Sequence, residues 1–282
     1  MSCSGHVQHL DGVPIRLSAP FDLDFVHQYG VVFKVFDDQD SGNLCLGVTN
    51  VSGHRYFVKF AGAPTVQYAG TAADAVARLK RAVPVYEALR HDLLIRLVKA
   101  EDAGGGYAVV FDWVDAICAI RMYEDDYRRF RQLPIDTHDR IFKDVMGFHE
   151  HVVQKGYVAI DFYDGSIMWD EAHQRTVICD IDFYQKSPYV GRMGLWGSTR
   201  FVSPEEQTDG AVVDEVTNVY TMGATAFCLF ADSSRSRAAW PLSDRQYDVV
   251  ARATSDDRSQ RQQSIAELMS EWHAASHGEA VT

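Results

Sequence analysis

Apolar positions along the chain fall into short runs followed by longer stretches of helical spacing. Gly30–Phe36, Leu44–Val48 and Arg55–Phe60 are strand-like runs, separated by the turn-forming stretches 37–42 and 50–53. Next, Val76, Leu79, Val83, Tyr86 and Leu89 recur every three or four residues and predict a helix over 71–91. Thr71 followed by Asp74 reads as its N-cap, and Pro84 is expected to kink it or end it locally. Gly104–Gly106 marks a turn before a buried strand over Tyr107–Val114. A long helix is predicted over Ile135–Lys155, with Asp136 as N-cap and Gly156 as its stop. Its stripe of Ile141, Val145, Phe148 and Val152 should face a core.

The stretch Gly156–Tyr184 carries the chemistry. Two apolar arms, Ser166–Trp169 and Thr176–Cys179, flank a polar turn at Glu171–Arg175 and predict a small hairpin. Asp161 precedes the first arm and Asp182 follows the second. An antiparallel hairpin brings its outer ends together, so the two carboxylates are expected near each other. Like charges held close persist where a metal or a reacting proton uses them. A lysine inside an apolar strand, Lys59, either exits to solvent or needs an anionic partner.

Charge and composition narrow the function classes. The 282 residues include 27 Lys plus Arg against 39 Asp plus Glu, a formal charge of −12 that argues against non-specific nucleic-acid or anionic-membrane binding. It is compatible with a cationic partner. With 46% hydrophobic and 23% charged residues, the composition is that of an ordinary globular protein. The longest apolar run, around Tyr107–Val114, is far too short for a membrane span, and the sequence MSCSGHVQHLDG has no secretory character. Cys3, Cys45, Cys118, Cys179 and Cys228 are scattered without metal-site spacing and read as reduced thiols of a cytoplasmic protein. His149-Glu150-His151 places its imidazoles on different sides of a helix and reads as structural.

The motifs, taken in order, resemble the protein kinase superfamily, in particular the eukaryotic-like Ser/Thr protein kinase catalytic domain. Ala159-Ile160-Asp161 stands for His-Arg-Asp, Ser166 for the following Asn, and Asp182-Phe183-Tyr184 for Asp-Phe-Gly. Arg55–Phe60 resembles the Val-Ala-Ile-Lys strand. Aligning Val35 with the last residue of the glycine-rich loop puts Gln28, Gly30 and Phe33 at its glycine positions. Trp196–Glu206 resembles the end of an activation segment, and Asp214–Ala224 the opening of the large helix below it, with Asn218 in place of Asp. Ser255–Ser264 resembles the late Asp-Pro-x-x-Arg-Pro segment, which makes Arg261 the expected partner of Glu205.

The resemblance implies an α+β, bilobal protein kinase-like fold. Residues 1–20 would be an N-terminal extension, 21–112 a small β-rich N-lobe, 113–273 a larger helical C-lobe and 274–282 a tail. It implies ATP and Mg²⁺ as cofactors and a γ-phosphoryl transfer to a hydroxyl acceptor, either a protein or a small molecule such as an antibiotic or metabolite. A nucleotide-binding pseudokinase is the third reading. Asp161 would take the acceptor proton. Asp182 and Ser166 would hold metal. Lys59 and Gly30 would meet the phosphates, and Glu87 would pair with Lys59, although strict counting falls on Ala82. Asp112 and Val114 would hold the base by backbone hydrogen bonds from a linking segment, and Phe111 would guard the pocket behind it. Ile160 replaces the arginine that reads a phosphorylated activation loop, and Tyr163 replaces the lysine two residues after the catalytic Asp.

Overall fold

A computed structural model describes residues 5–190 and 198–277. The described chain is a mixed α+β structure in two compact units. One runs to Arg90 and takes in Ile95–Val114; the other comprises His91–Leu94 and the described residues from Asp115 onward. No helix among the described residues is long and apolar enough to cross a membrane.

The first unit opens with a hairpin of β1 (His6–Leu10) and β2 (Val13–Leu17). Then come β3 (Val31–Phe36), β4 (Asn43–Thr49), β5 (Arg55–Ala61), α1 (Ala72–Ala88), β6 (Leu97–Ala103) and β7 (Gly106–Asp112). Strands β3 to β7 form one antiparallel sheet in the order β3-β4-β5-β7-β6. Because β5 is central, both faces need cover. Val58 and Phe60 point to one face and cluster with Leu44, Leu46 and Val110, and with Leu10, Ile15 and Leu17 of the hairpin. Residues 6–17 are therefore not a mere extension: Asp11 and Gly12, with φ of 53° and 82°, turn a hairpin that supplies part of this core.

Alternation puts Phe57 and Lys59 on the opposite face, where α1 packs and its Tyr86 ring meets Phe111 at a tilt of 58°, with centroids 4.8 Å apart. Thr71 and Asp74 form a reciprocal capping box, as expected. Pro84 does not end the helix, which runs on to Ala88. Proline removes one N–H, and at this exposed position water can satisfy the carbonyl left over.

The second unit begins with β8 (Ile117–Cys118), α2 (Glu124–Arg131) and α3 (Ile135–Gln154). The expected stripe of Ile141, Val145, Phe148 and Val152 is completely buried. Pro134, not Asp136, occupies the N-cap; Asp136 lies in the first turn, where its charge complements the helix dipole. After β9 (Tyr157–Val158), the predicted hairpin forms from β10 (Ile167–Asp170) and β11 (Arg175–Ile178), with Met168 opposite Val177. Strand β8 adds to its β10 edge. Two short ladders follow: β12 (Gln185–Lys186) pairs with β9, and β13 (Tyr189–Val190) pairs with β14 (Val212–Val213). Helices α4 (Glu215–Ala231), α5 (Asp244–Ala253) and α6 (Ile265–His277) complete the unit. Every residue of α4 from Thr217 to Ala231 is buried, so this helix is the centre around which the unit packs.

Gly30 sits at the start of β3 with φ of 143°, and a Cβ there would lie 2.2 Å from the Thr49 carbonyl oxygen. Gly30→Ala should lower stability by at least the roughly 1–3 kcal/mol of a strained backbone. Urea unfolding measures this; an unchanged midpoint would show that β3 and β4 need not approach so closely.

Candidate functional site

The segment carrying Asp161 is fixed from α4. The Asn218 amide donates to the Ala159 carbonyl at 3.0 Å and accepts from the Ala159 N–H at 3.0 Å. A neutral amide thus supplies both halves of the bonding expected at this position. Two residues on, Asp161 is half-buried and left-handed, with φ of 60°. Left-handed backbone is uncommon outside glycine, though aspartate tolerates it better than most residues.

The turn continues through Asp164 to Ser166, where the Cys179 N–H donates to the Ser166 carbonyl at 3.0 Å and closes the base of the hairpin. The hydroxyl of Ser166 is completely buried without a hydrogen-bond partner. One Asp164 oxygen is likewise buried and unpartnered, while the other accepts from Arg200 at 2.7 Å. Tyr163 makes a long hydrogen bond of 3.4 Å to Asp180, itself left-handed with φ of 57°.

Asp182 is buried on the turn after β11. Its neighbour Tyr184, in the position the resemblance gives to glycine, is anchored to α3 through His149, 2.8 Å from its hydroxyl. The other His149 nitrogen lies 2.8 Å from the Val145 carbonyl. A carbonyl only accepts, so Nδ1 carries the proton and Nε2 accepts from Tyr184. Burial pushes the His149 imidazole down to about 4 and, aided by the charges of Asp161 and Asp180, holds the Tyr184 phenol well above its usual range. Both groups are therefore neutral, and His149 is structural, as its spacing suggested.

Among the described residues, no group of three or more His, Cys, Asp or Glu side chains is arranged to hold a metal ion. Magnesium makes a smaller demand: one or two carboxylates, with waters and substrate phosphate completing its shell. A buried Asp182 and an orphaned Ser166 hydroxyl on the same hairpin fit that donor set.

In the first unit Lys59 is only 8% exposed, paired in register with Cys45 and Val109. It does not run out to solvent. Phe57 shares its face, and nearby Phe33 meets Trp113 edge-on at 4.8 Å. Gly47 lies beneath these two rings, where a Cβ would come within 2.7 Å of Phe33 and 2.8 Å of Trp113. Lys34 lies over Phe36 at 4.9 Å. Exposed cations beside aromatic faces suit a flat, anionic ligand.

Other expectations in this unit change. Gly30 is at the opposite end of the β3–β4 pair from its connecting turn, and the Thr49 contact alone requires glycine there. The turn itself, residues 37–42, carries Asp37, Asp38 and Asp40, the first two paired with Arg16. Glu87 is exposed in the last turn of α1, whereas Ala82 is buried. Asp112 is engaged by side chains: burial would raise its pKa, but Arg96 and His54, the latter at 3.0 Å, hold it below the usual carboxylate value. Val114 is half-buried at the end of the unit.

The expected Glu205–Arg261 pair is present, bidentate at 2.7 and 3.0 Å, with Arg261 fully buried. Arg258, not singled out from the sequence, also reaches Glu205 and grips both oxygens of Asp214 at 2.8 and 2.9 Å. Glu206 was missed as well. Its signal was the Ser203-x-x-Glu206 spacing of a capping box, and the Ser203 N–H and hydroxyl each donate to it at 2.8 Å. Trp196 and Gly197 lie outside the described residues.

No protein-family model matches the chain, and no curated protein does.

The buried imidazole generates a pH dependence. Folded His149 titrates near 4 against an ordinary 6.5, so the unfolded chain binds the extra proton first. Stability should fall as pH drops below about 6.5 and level off near 4, by up to about 3 kcal/mol. In His149→Gln this part of the slope should vanish. Equal slopes for the two proteins in urea titrations would show that His149 does not titrate differently on folding.

Proposed function

We propose that this protein is a protein kinase-like phosphotransferase, with the bilobal fold of that superfamily, moving the γ-phosphoryl group of ATP to a hydroxyl acceptor. The observation that carries the reading is the clamped hairpin: Asp161, Ser166 and Asp182 ride on one turn–hairpin–turn whose backbone Asn218 holds at Ala159. The buried Ser166 hydroxyl has no hydrogen-bond partner, which a bound group would supply.

In this reading the Asp161 carboxylate orients the acceptor hydroxyl and takes its proton, worth about 10²–10⁴ in rate. The acceptor oxygen forms its bond to the γ-phosphorus as the bond to the β–γ bridging oxygen breaks. ADP leaves with that electron pair. Asp182, with Ser166, would hold Mg²⁺, which supplies charge neutralisation at the phosphates. Lys59 would meet the α- and β-phosphates, and the aromatic surface around Trp113 suits a purine. Asp112 is taken up by Arg96 and His54, so its contribution to holding the base would be through its backbone.

One observation favours the pseudokinase alternative. The turn between β3 and β4 bears three carboxylates, where a phosphate-cradling loop needs open backbone N–H groups.

Transfer assays with labelled ATP and cell extract, with and without small molecules removed, test the proposal and sort protein from small acceptors. Mg²⁺-dependent transfer is expected from wild type, with Asp161→Asn and Asp182→Ala losing at least about a hundredfold. Lys59→Ala should weaken nucleotide binding in calorimetry. If wild type and both aspartate variants bind ATP yet are equally inert, the protein binds nucleotide without transferring phosphate.

A further inference from the structure

Helix α6 ends on a pair of imidazoles. His273 and His277 are one helical turn apart and share a face. Both are exposed, and their ring centroids lie 4.2 Å apart with the planes inclined at 37°. Packing is the work of the other face: Ile265, Leu268, Trp272 and Ala275 are buried, and the Trp272 indole donates to Asp139 at 2.9 Å. The histidine pair is therefore presented to solvent by a helix that the core holds in place.

Hydrogen bonding fixes which atoms are on offer. His277 Nδ1 lies 2.9 Å from the His273 carbonyl oxygen, which can only accept. Nδ1 therefore carries a proton, and in the neutral ring Nε2 presents a lone pair. A metal-bound histidine is supported in the same way: its second nitrogen donates to a carbonyl, which sets the tautomer and raises the basicity of the ligating atom. The negative end of the helix dipole adds to the attraction for a cation in this last turn. Two histidines four residues apart on a helix are a recurrent zinc-binding pair. Imidazole suits zinc, nickel and copper, whereas magnesium and calcium prefer oxygen.

We infer that His273 and His277 form a surface site for a divalent transition ion of the zinc class, bound through Nε2 of His277 and a ring nitrogen of His273. Among the described residues no third His, Cys, Asp or Glu joins them, so water completes the shell. The site lies wholly on α6, uses none of the residues assigned to phosphate transfer, and stands whether or not the protein transfers phosphate.

Zn²⁺ alone is the probe, titrated into the full chain by calorimetry, with the histidine ring nitrogens of ¹⁵N-labelled protein followed by NMR. In wild type, zinc should shift Nε2 of His277 strongly and leave its Nδ1 protonated, while Mg²⁺ should shift neither. His273→Ala and His277→Ala should each weaken zinc binding at least about tenfold, the lower end of what even a supporting partner is worth to a metal site. Both positions are exposed and alanine favours helix, so the variants keep the fold. Zinc affinity unchanged by either substitution overturns the inference. So does a wild-type protein in which zinc shifts only other histidines, or none, or in which Mg²⁺ produces the same shifts.

Discussion

A fully buried guanidinium is the constraint on which the second unit depends. Arg261 has no exposure, and an unpaired charge there would cost several kcal/mol. Its partner must be fixed as firmly as itself, and Glu205 is: Thr217 donates to it at 2.9 Å and Arg258 at 3.2 Å. Arg258 also holds Asp214, the N-cap of α4. One ion pair thus joins the 203–207 turn, the start of α4 and the 255–262 segment. The net gain from such a pair is modest, because desolvation offsets most of the attraction. Its effect is on position: α4 has one register in which Thr217 meets Glu205, and in that register Asn218 meets Ala159.

Position is what the candidate chemistry requires. Asp161 and Asp180 both hold left-handed backbone, a conformation costing about 1–3 kcal/mol for a residue other than glycine. Such strain survives only where the surroundings over-determine it. On one side the Asn218 amide fixes the chain two residues before Asp161; on the other, Tyr184 docks on His149 two residues after Asp182. The two anchors come from different helices, α4 and α3, and both are buried and neutral. The role of Tyr184 is then intelligible: its ring buries, and its hydroxyl completes the histidine.

Much of this was legible because periodicity reports burial. The α1 and α3 stripes and the arms of the hairpin lie where apolar spacing put them. The failures have separate causes. The β1–β2 hairpin announces itself by Asp11-Gly12, a strong turn signal, but its strands are five residues long and partly polar. Helix α2 is charged nearly all round and buries only Phe130, so it has no stripe to detect. The contact that demands glycine at position 30 is a carbonyl distant in sequence, which no local pattern encodes. The side-chain partners of Asp112, Arg96 and His54, likewise come from other segments of the sheet and carry no local signal. Glu206 was hidden beside Glu205, because adjacent acids look alike until folding gives one an arginine and the other a serine.

Ile160 shows how the backbone before Asp161 is held without charge. Ile160 is buried with Val158 and Val213, and Phe183 and Tyr189 pack against this cluster. Val158 belongs to β9, Val213 to β14, and Tyr189 to the β13 strand that pairs with β14. Hydrophobic contact therefore ties together the segment before Asp161, the residue after Asp182 and the chain beyond it. Apolar association needs no counter-ion and is present whenever the chain is folded. A phosphate brought to this cluster would find no guanidinium and would have to be desolvated among methyl groups and rings, a cost that opposes ordering. The geometry around Asp161 and Asp182 is thus set by packing that is permanent, and a switch by phosphorylation would require a cationic partner in the place where this sequence has put isoleucine.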